Sequence, residues 1–444
     1  MSTEVADLRS GRAIVTYGRS LIALTIAHSL GRRGVEVIGC DDVGLTAVSF
    51  SRFSKGHFTH APASEDPDRF IEDLEAGILR HKPKDGRPYV LIPCFQETRV
   101  IARHADRLSR HIQVAAPRLA AIAAVDPKDA LTKTALRLGL NAPRTWSARA
   151  LKSGAARPDR FPVIAKPARG VGGRGVRRLA SSAELEALLA SADEPLLVQE
   201  YVPGQDFCLT ALYDRGHRLA SAAYRNLSQF PRPAGAGVLR ETVADGPFLQ
   251  TADKLFGALC WTGVVEADFR WDGAGDPFLI EVNPRFWAGL FHTVESGVDF
   301  PWMLYELAVS GRVSCPAEPR LGQRTKVGGL YLLSAIQEVA ESEEGFAGLR
   351  EAWGQAAHLF QSGRLLDASR ELARGLGAGV DIGRTLQRLR ETLRTARNAP
   401  NELFRSDDPL VSLGALFVVA SLIRHGRLPP ELRYDPQARG LFVD

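Results

Sequence analysis

The sequence predicts an α/β protein, and three stretches of the 444-residue chain support that prediction. Residues 13–42 read as strand, glycine turn, helix and strand, which is the pattern of a parallel βαβ unit. Residues 205–283 are dominated by strand patterns, and beyond about residue 310 the chain becomes helical and rich in arginine. The length suffices for two or three domains, so we expect these stretches to belong to different structural units.

The composition excludes several classes of protein. The formal net charge is +5 and no basic run is interleaved with aromatic residues, so we expect no nucleic-acid partner. Five cysteines without a CxxC pair predict a reducing, cytoplasmic setting rather than disulfides or structural zinc. The most apolar stretch, residues 409–423, is too short and too interrupted to be a transmembrane segment. It predicts a buried helix, with a membrane-surface contact as the alternative.

The first unit of the chain has a Rossmann-like pattern. An apolar strand at residues 13–17 is followed by Gly18, a helical run and a second strand that ends in acids. The turn lacks the second and third glycines of the dinucleotide fingerprint, so dinucleotide binding is not predicted. Another strand, residues 89–93, brings Gln96 and Glu97 to the sheet edge where ligands bind. Glu97 is a candidate substrate contact or, alternatively, an acid at a helix N-terminus.

A lysine and a glycine-rich loop form the first chemical motif. A strand ends at Lys166, and four glycines follow close behind it, at Gly170, Gly172, Gly173 and Gly175. Glycines let backbone N–H groups approach an anion closely, and a lysine adds a point charge for phosphate. No GK[ST] follows, so the loop is not a Walker A motif. The alternative is a flexible hairpin that binds nothing.

The second motif is an apolar strand that ends in a turn and an acid. The strand at residues 196–202 runs into Pro203 and Gly204, and Asp206 lies just beyond. Backbone groups on such a hinge can pair with an adenine edge, and the carboxylate can accept hydrogen bonds from ribose hydroxyls. The alternative is an ordinary strand and turn.

The third motif is a hairpin with acids on one face. Glu266 and Asp268 share a face of the first strand, whereas Glu281, Asn283 and Arg285 share a face of the second. Three carboxylates and an amide on facing strands offer the oxygen ligands that Mg²⁺ prefers. The alternative is a solvated sheet face with a ladder of ion pairs.

In this order and at these distances, the three motifs resemble the ATP-grasp superfamily. Asp268 and Glu281 are thirteen residues apart and Asn283 lies two beyond, as in the metal site of D-alanine–D-alanine ligase. The sequence EVNPR, which ends at Arg285, is similar to the synthetase domains of carbamoyl-phosphate synthetase, and biotin carboxylase has a similar arginine. Lys128 precedes Gly139 by eleven residues, similar to a phosphate-contacting lysine of biotin carboxylase. The closest resemblance is to carbamoyl-phosphate-synthetase-like and D-aspartate-ligase-like carboxylate–amine ligases.

The resemblance implies an ATP-grasp fold with three regions. These are a Rossmann-like N-terminal domain at 11–118, an ATP-grasp domain at 119–310 with its small lid at about 145–205, and a helical region at 311–444. The implied cofactors are ATP and Mg²⁺ or Mn²⁺. The implied site residues are Arg285 and Lys166 as catalytic groups; Lys128, Lys166, Gly172, Gly173, Gly175, Glu200, Tyr201, Val202 and Asp206 as ATP contacts; Asp268, Glu281 and Asn283 as metal ligands; and Arg225, Arg240 and Glu97 as substrate contacts.

The resemblance also implies the reaction. ATP phosphorylates a carboxylate, and an amine attacks the resulting acyl phosphate to form an amide or peptide bond. A small-molecule acid and an amine would be the substrates, and a homodimer is compatible with this group. One alternative is a bicarbonate-activating enzyme of the carbamoyl or carboxyphosphate type. Another is an ATP-binding regulatory or scaffold protein that binds a partner through the arginine-rich segment at residues 384–397.

Overall fold

The protein is α/β, as a computed structural model of the chain shows. One parallel sheet and two antiparallel sheets are surrounded by helices, so the predicted fold class is confirmed. Among the described residues, no helix combines the length and apolarity needed to cross a membrane. The structure describes residues 8–168, 175–191, 196–230, 235–314, 318–341, 347–362 and 364–377, and then 387, 390, 393–403, 406–416, 420–421 and 424.

The N-terminal sheet is parallel throughout, with strand order β3-β2-β1-β4-β5. Ser20 caps the first helix by accepting a hydrogen bond from the Ala23 N–H, and that helix is buried along nearly its whole length. Because β1 and β4 pair in parallel, their carboxyl ends lie side by side at one edge of the sheet. The elements are β1 (Arg12–Val15), α1 (Leu21–Gly31), β2 (Glu36–Asp41), α2 (Ala47–Phe50), β3 (Ser54–Thr59), α3 (Pro67–Arg80), β4 (Tyr89–Ile92), α4 (Thr98–Arg103), α5 (Ala105–Leu108) and β5 (Gln113–Val114).

Two helices lead from this sheet to a small four-stranded sheet. The second helix ends at Gly139, whose φ of +57° is the left-handed conformation that closes a helix. The small sheet has antiparallel pairs in the order β6-β9-β7-β8 and its own apolar core around Val163, Ala165 and Val198. The elements are α6 (Leu119–Val125), α7 (Lys128–Leu138), β6 (Thr145–Ser147), α8 (Ala148–Lys152), β7 (Val163–Pro167), β8 (Arg177–Leu179), α9 (Ser182–Ser191) and β9 (Leu196–Glu200).

The largest sheet is antiparallel, with strand order β14-β13-β10-β11-β12-β15. Its apolar face packs on Phe248, Leu255 and Phe256 of one covering helix. The alternate residues of the same strands form a second face, which carries the polar side chains of the third motif. The elements are β10 (Gln205–Asp214), β11 (His217–Phe230), β12 (Ala236–Val243), α10 (Gly246–Ala258), β13 (Gly263–Trp271), β14 (Phe278–Asn283), α11 (Leu290–Glu295), α12 (Phe300–Ser310) and β15 (Arg324–Lys326).

Beyond β15, which belongs to the antiparallel sheet, the described residues up to 377 are largely helical. The helices of this part are α13 (Gly328–Glu341), α14 (Ala347–Gln361) and α15 (Leu365–Gly377), and half of the arginine-rich segment 384–397 lies outside the described residues. The prediction of a buried helix at residues 409–423 is wrong for its first part. Pro409–Leu416 is a 3₁₀ helix that buries Val411 but leaves Leu410, Leu413 and Leu416 exposed. A repeat of three residues per turn places these leucines in one outward row.

The segment before this 3₁₀ helix contacts the antiparallel sheet and helix α1. The backbone of Glu402 donates to the Lys326 carbonyl, which extends the antiparallel sheet beyond β15. The Glu402 carboxylate forms a buried ion pair with Arg240 of β12 at 3.3 Å. Six residues later, the buried Asp408 lies 2.8 Å from Nε2 of His28 in α1. The tail therefore connects helix α1 of the N-terminal unit to the edge of the antiparallel sheet, which is the central sheet of the molecule.

Candidate active site

The β13–β14 hairpin brings the predicted metal ligands together. Asp268 faces Glu281 across the two strands, and Glu266 faces Asn283 in the same register. The Asn283 amide donates to Glu266 at 3.1 Å and to Asp268 at 3.4 Å. Strand alternation explains this convergence, because residues of one parity share a face.

Burial and crowding shift the titration of these acids. Burial raises the pKa of Glu266, although the Tyr224 hydroxyl donates to its carboxylate at 2.7 Å. Burial, followed by the charges of Glu266 and Glu281, raises the pKa of Asp268 well above its usual value. Burial and mutual repulsion therefore oppose the ionisation of these two carboxyl groups.

These residues fit a divalent cation. Carboxylates from Asp268 and Glu281 and an amide from Asn283 form the hard oxygen set that Mg²⁺ and Mn²⁺ prefer. Cys208, which the sequence analysis missed, lies opposite Asp268 on β10. Its sulfur and the oxygens of Glu266 and Asp268 lie within 4.8 Å of one another. Burial raises the pKa of the Cys208 thiol, and a protonated thiol is a poor ligand, so the oxygen set fits better.

Two lysines from separate elements approach the acids. Nζ of Lys128, the first residue of α7, lies 2.8 Å from Oε1 of Glu281. Lys166, at the end of β7, is buried and donates to Oε1 of Gln199 at 2.8 Å. Burial lowers the pKa of Lys166 to about 8, while the charges of Glu281 and Asp268 act in the opposite direction. The small sheet therefore brings a cation toward the acidic face of the large one.

The glycine loop is described only at its end. Gly172 and Gly173, which the sequence predicts to contact phosphate, lie outside the described residues. Gly175 has a φ of +71°, and a Cβ there would lie 2.9 Å from Cγ of Pro167. A side chain at position 175 would therefore be strained by both the backbone and the neighbour.

The predicted adenine hinge follows β9 and is held by an arginine that the sequence analysis missed. Arg270 donates to the Val202 carbonyl at 2.8 Å and to the Asp206 carboxylate at 2.7 Å. The Tyr201 ring lies beside the same guanidinium, and the Glu200 carboxylate lies 3.5 Å from Arg144. Pairing of Asp206 with Arg270 across β10 and β13 could be found only after the strand register was known.

Arg285 lies directly beyond the hairpin. Its guanidinium donates to the Phe286 carbonyl at 2.8 Å and to the Asn283 amide oxygen at 3.1 Å. Among the described residues, no carboxylate forms an ion pair with it, so the alternative of a structural pair with Glu266 or Glu281 is not what the structure contains. Burial lowers its pKa below the usual arginine value.

The three predicted substrate contacts are engaged with protein groups. Glu97 accepts hydrogen bonds from the Phe95 N–H at 3.1 Å and from the Thr16 hydroxyl, so it holds its own loop. Arg225 pairs with Glu241 at 2.7 Å, and Arg240 pairs with Glu402 in the interior. Glu97 also directly precedes α4, which agrees with its alternative as an acid at a helix N-terminus.

Comparisons with known proteins agree with this geometry. Residues 192–328 match the family described as ATP-grasp in the biosynthetic pathway with Ter operon. The carbamoyl phosphate synthase large chain of Clostridium beijerinckii is 26% identical over 162 residues, which cover 34% of this chain and 15% of the relative.

Two solved structures share the fold. The L-amino acid ligase of Bacillus licheniformis has a TM-score of 0.53 at 17% identity, over 68% of this chain and 75% of that one. The biotin carboxylase domain of Hydrogenobacter thermophilus 2-oxoglutarate carboxylase was solved in complex with MgADP and bicarbonate. It has a TM-score of 0.56 at 16% identity, over 70% of this chain and 73% of that one. The resemblance to ATP-grasp ligases predicted from the sequence is confirmed by these matches.

Proposed function

We propose that this chain, with its ATP-grasp fold, is an ATP-dependent carboxylate–amine ligase. One observation carries the proposal: Lys128 and Lys166 converge from two different elements on the acids of the β13–β14 hairpin. Cations aimed at a cluster of metal-ligating oxygens form a site for a polyphosphate bound with a divalent ion. The three regions 11–118, 119–310 and 311–444 are proposed as the domains of this enzyme.

The metal site is proposed at Asp268, Glu281 and Asn283, where Mg²⁺ or Mn²⁺ would be held. A bound divalent cation neutralises the negative charge of the β- and γ-phosphates. Lys128 is held by Glu281 in the absence of ligand, and it would exchange that partner for a phosphate oxygen. Lys166 would donate to a second phosphate oxygen. The hinge at Glu200, Tyr201 and Val202 would bind the adenine.

Arg285 is the proposed anion-binding group. A carboxylate oxygen of the acid attacks the γ-phosphorus, and ADP leaves. The amine nitrogen then attacks the acyl carbon, phosphate leaves and the nitrogen loses a proton. Both the acyl phosphate and the tetrahedral adduct carry negative charge that a guanidinium with available N–H groups stabilises. Arg285 would supply that charge beside Asn283.

The experiment that tests this function measures ADP release from the purified protein with Mg²⁺ and panels of acids and amines, with products identified by mass spectrometry. We expect ADP release that requires both an acid and an amine. Full activity in a Glu281→Ala, Asn283→Ala double variant would contradict the mechanism.

A bicarbonate-activating enzyme is the second candidate. Support comes from the EVNPR sequence ending at Arg285 and from the fold shared with a biotin carboxylase domain. ADP release that requires bicarbonate but no organic acid would favour this candidate over the ligase.

The cellular setting and the assembly of the enzyme are proposed as well. The described cysteines Cys40, Cys94, Cys208 and Cys260 are all free thiols, which fits the reducing cytoplasm. A homodimer is proposed from the resemblance alone, and light scattering of the purified protein would test it.

A further inference from the structure

A column of four stacked side chains runs from the N-terminal sheet to Arg285. Tyr17 and Phe95 follow the neighbouring strands β1 and β4, and their rings stack at 4.9 Å with an interplanar angle of 6°. The Arg19 guanidinium lies 5.6 Å from the Tyr17 ring on one side. The Arg285 guanidinium lies 4.4 Å from the Phe95 ring on the other. The column therefore links the parallel sheet to the end of the acidic hairpin.

Each end of the aromatic pair is held by the N-terminal sheet. The Glu97 carboxylate accepts hydrogen bonds from the backbone N–H groups of Cys94 and Phe95, at 3.3 and 3.1 Å. Tyr17 has a φ of +55°, a left-handed conformation that is uncommon for a residue with a side chain and that accompanies functional positions. Arg19 is bound in turn by Asp41, at the end of β2. Phe95 is thus a fixed surface rather than a mobile loop residue.

The contact with Phe95 has a specific chemical effect on Arg285. A guanidinium carries five N–H donors, and Arg285 donates to the Phe286 carbonyl and the Asn283 amide oxygen. A carboxylate partner would consume further donors, whereas an aromatic face attracts the cation and consumes none. Among the described residues Arg285 has no ion-pair partner. Its remaining N–H groups are therefore available to a ligand that bears an anionic oxygen.

We propose that Phe95 is a positioning residue for Arg285, which it orients through its ring so that the free N–H groups of the guanidinium bind an anionic ligand oxygen. The chemical class of that ligand is a carboxylate or its acyl phosphate. The proposal rests on the proposed function for the identity of the anion. The geometry of the column stands without it.

The test uses inorganic phosphate as the probe, in the presence of saturating MgADP, with the full-length protein and isothermal calorimetry. We expect Phe95→Leu to weaken phosphate binding by roughly 3- to 30-fold, which corresponds to the loss of about 0.5–2 kcal/mol of cation–π attraction. Phe95→Tyr keeps the aromatic face and should restore binding. The affinity for MgADP itself should change by less than about twofold, since among the described residues the Phe95 ring contacts Tyr17 and Arg285 rather than the hinge.

Phe58→Leu is the matched control. Phe58 is an aromatic residue of the same parallel sheet, but it stacks on His81, far from Arg285 in sequence and outside the column. Its replacement should lower the melting temperature without changing phosphate affinity. If Phe95→Leu does not fold, Tyr17→Leu tests the proposal instead. This substitution removes the ring that stacks on Phe95, so it should weaken phosphate binding to a smaller extent. Unchanged phosphate affinity in the folded variant overturns the proposal.

The outcome also separates this proposal from the ligase function. Weaker phosphate binding in Phe95→Leu without any acid- and amine-dependent turnover of the parent protein supports the positioning role and rejects the ligase. Turnover of the parent protein with an unchanged kcat/KM for the acid in Phe95→Leu supports the ligase and rejects the positioning role. Rescue of kcat/KM by Phe95→Tyr would distinguish positioning from a general loss of packing.

Discussion

The two faces of strand β13 differ in what they contribute between Val265 and Phe269. Val265, Ala267 and Phe269 point into the core, where the Phe269 ring lies 5.1 Å from that of Phe248. Glu266 and Asp268, the residues between them, point into the acidic cluster. One strand therefore serves both the core and the candidate metal site through alternate residues.

The difference shows where stability and chemistry reside. The apolar face stabilises the fold by removing hydrocarbon from water. The acidic face is destabilising without a cation, because burial and mutual repulsion oppose ionisation of its carboxylates. Substitutions on the apolar face should therefore lower stability, and substitutions on the acidic face should change activity and metal dependence.

Neighbouring residues of β14 give the largest expected contrast. Glu281→Ala should lower kcat/KM by at least about 100-fold, because it removes a proposed metal ligand and the partner of Lys128. Val282→Ala, one residue further and in the core, should cost about 2 kcal/mol of unfolding free energy and leave kcat/KM nearly unchanged. Steady-state kinetics and urea unfolding of both variants would check this. Similar kinetic losses in the two variants would contradict the separation of the faces.

Phe269→Ala tests the core face alone. The side chain is 1% exposed, so its truncation should cost about 3–5 kcal/mol of unfolding free energy. The folded fraction should still release ADP at close to the parental rate, since the ring does not reach the acidic face. Urea unfolding and activity per folded molecule are the measurements. A loss of activity in fully folded protein would mean that the two faces are coupled.

Asp268→Asn tests how far the acidic face destabilises the folded protein. The pKa of Asp268 is raised in the folded state, so the native protein binds more protons than the unfolded chain above pH 3.8, and its stability falls as pH rises from there. The asparagine variant should therefore have a higher melting temperature than the parent at pH 7 without metal. Added Mg²⁺ should raise the melting temperature of the parent more than that of the variant. A lower melting temperature of the metal-free variant would refute this account.

The smallest expected effect concerns Lys166, the buried lysine that approaches the acidic face. With a pKa of about 8, the side chain loses its charge as pH rises from 7 to 9. The dissociation constant for ATP should increase by up to about tenfold over that interval. Lys166→Arg, whose guanidinium stays charged, should remove this dependence. Calorimetric titrations at pH 7, 8 and 9 measure the slope, and an equal slope in the arginine variant would assign the effect to another group.

Much of the candidate site followed from local patterns. Strand parity placed Glu266 and Asp268 on one face, and the short distance along the chain to Glu281 and Asn283 forced the facing strands to pair. The parity argument fails at one point, because a register shift after Asp268 pairs Phe269 with Leu279. Leu279 therefore enters the core although it has the parity of Glu281. A bulge of this kind leaves no signal in alternating hydrophobicity.

The parts that could not be predicted depend on distant segments. Phe95 and Arg285 are brought together by two different sheets, and Arg270 meets Asp206 only through the register of β10 and β13. The βαβ unit was readable from the sequence, whereas the full strand order of its sheet was not. Local periodicity reports which face a residue occupies, but it carries no information on which element covers that face.

The tail that pairs Glu402 with Arg240 and Asp408 with His28 has a consequence for how the protein is made. His28 and Asp408 are 380 residues apart, and at the usual rate of synthesis their appearance differs by roughly 20–80 seconds. Glu402 follows Arg240 by 162 residues, so Arg240 lacks this partner for roughly 8–32 seconds of synthesis, and a buried unpaired charge is strongly disfavoured. The edge of the central sheet therefore lacks this ion pair on the ribosome until Glu402 has been synthesised.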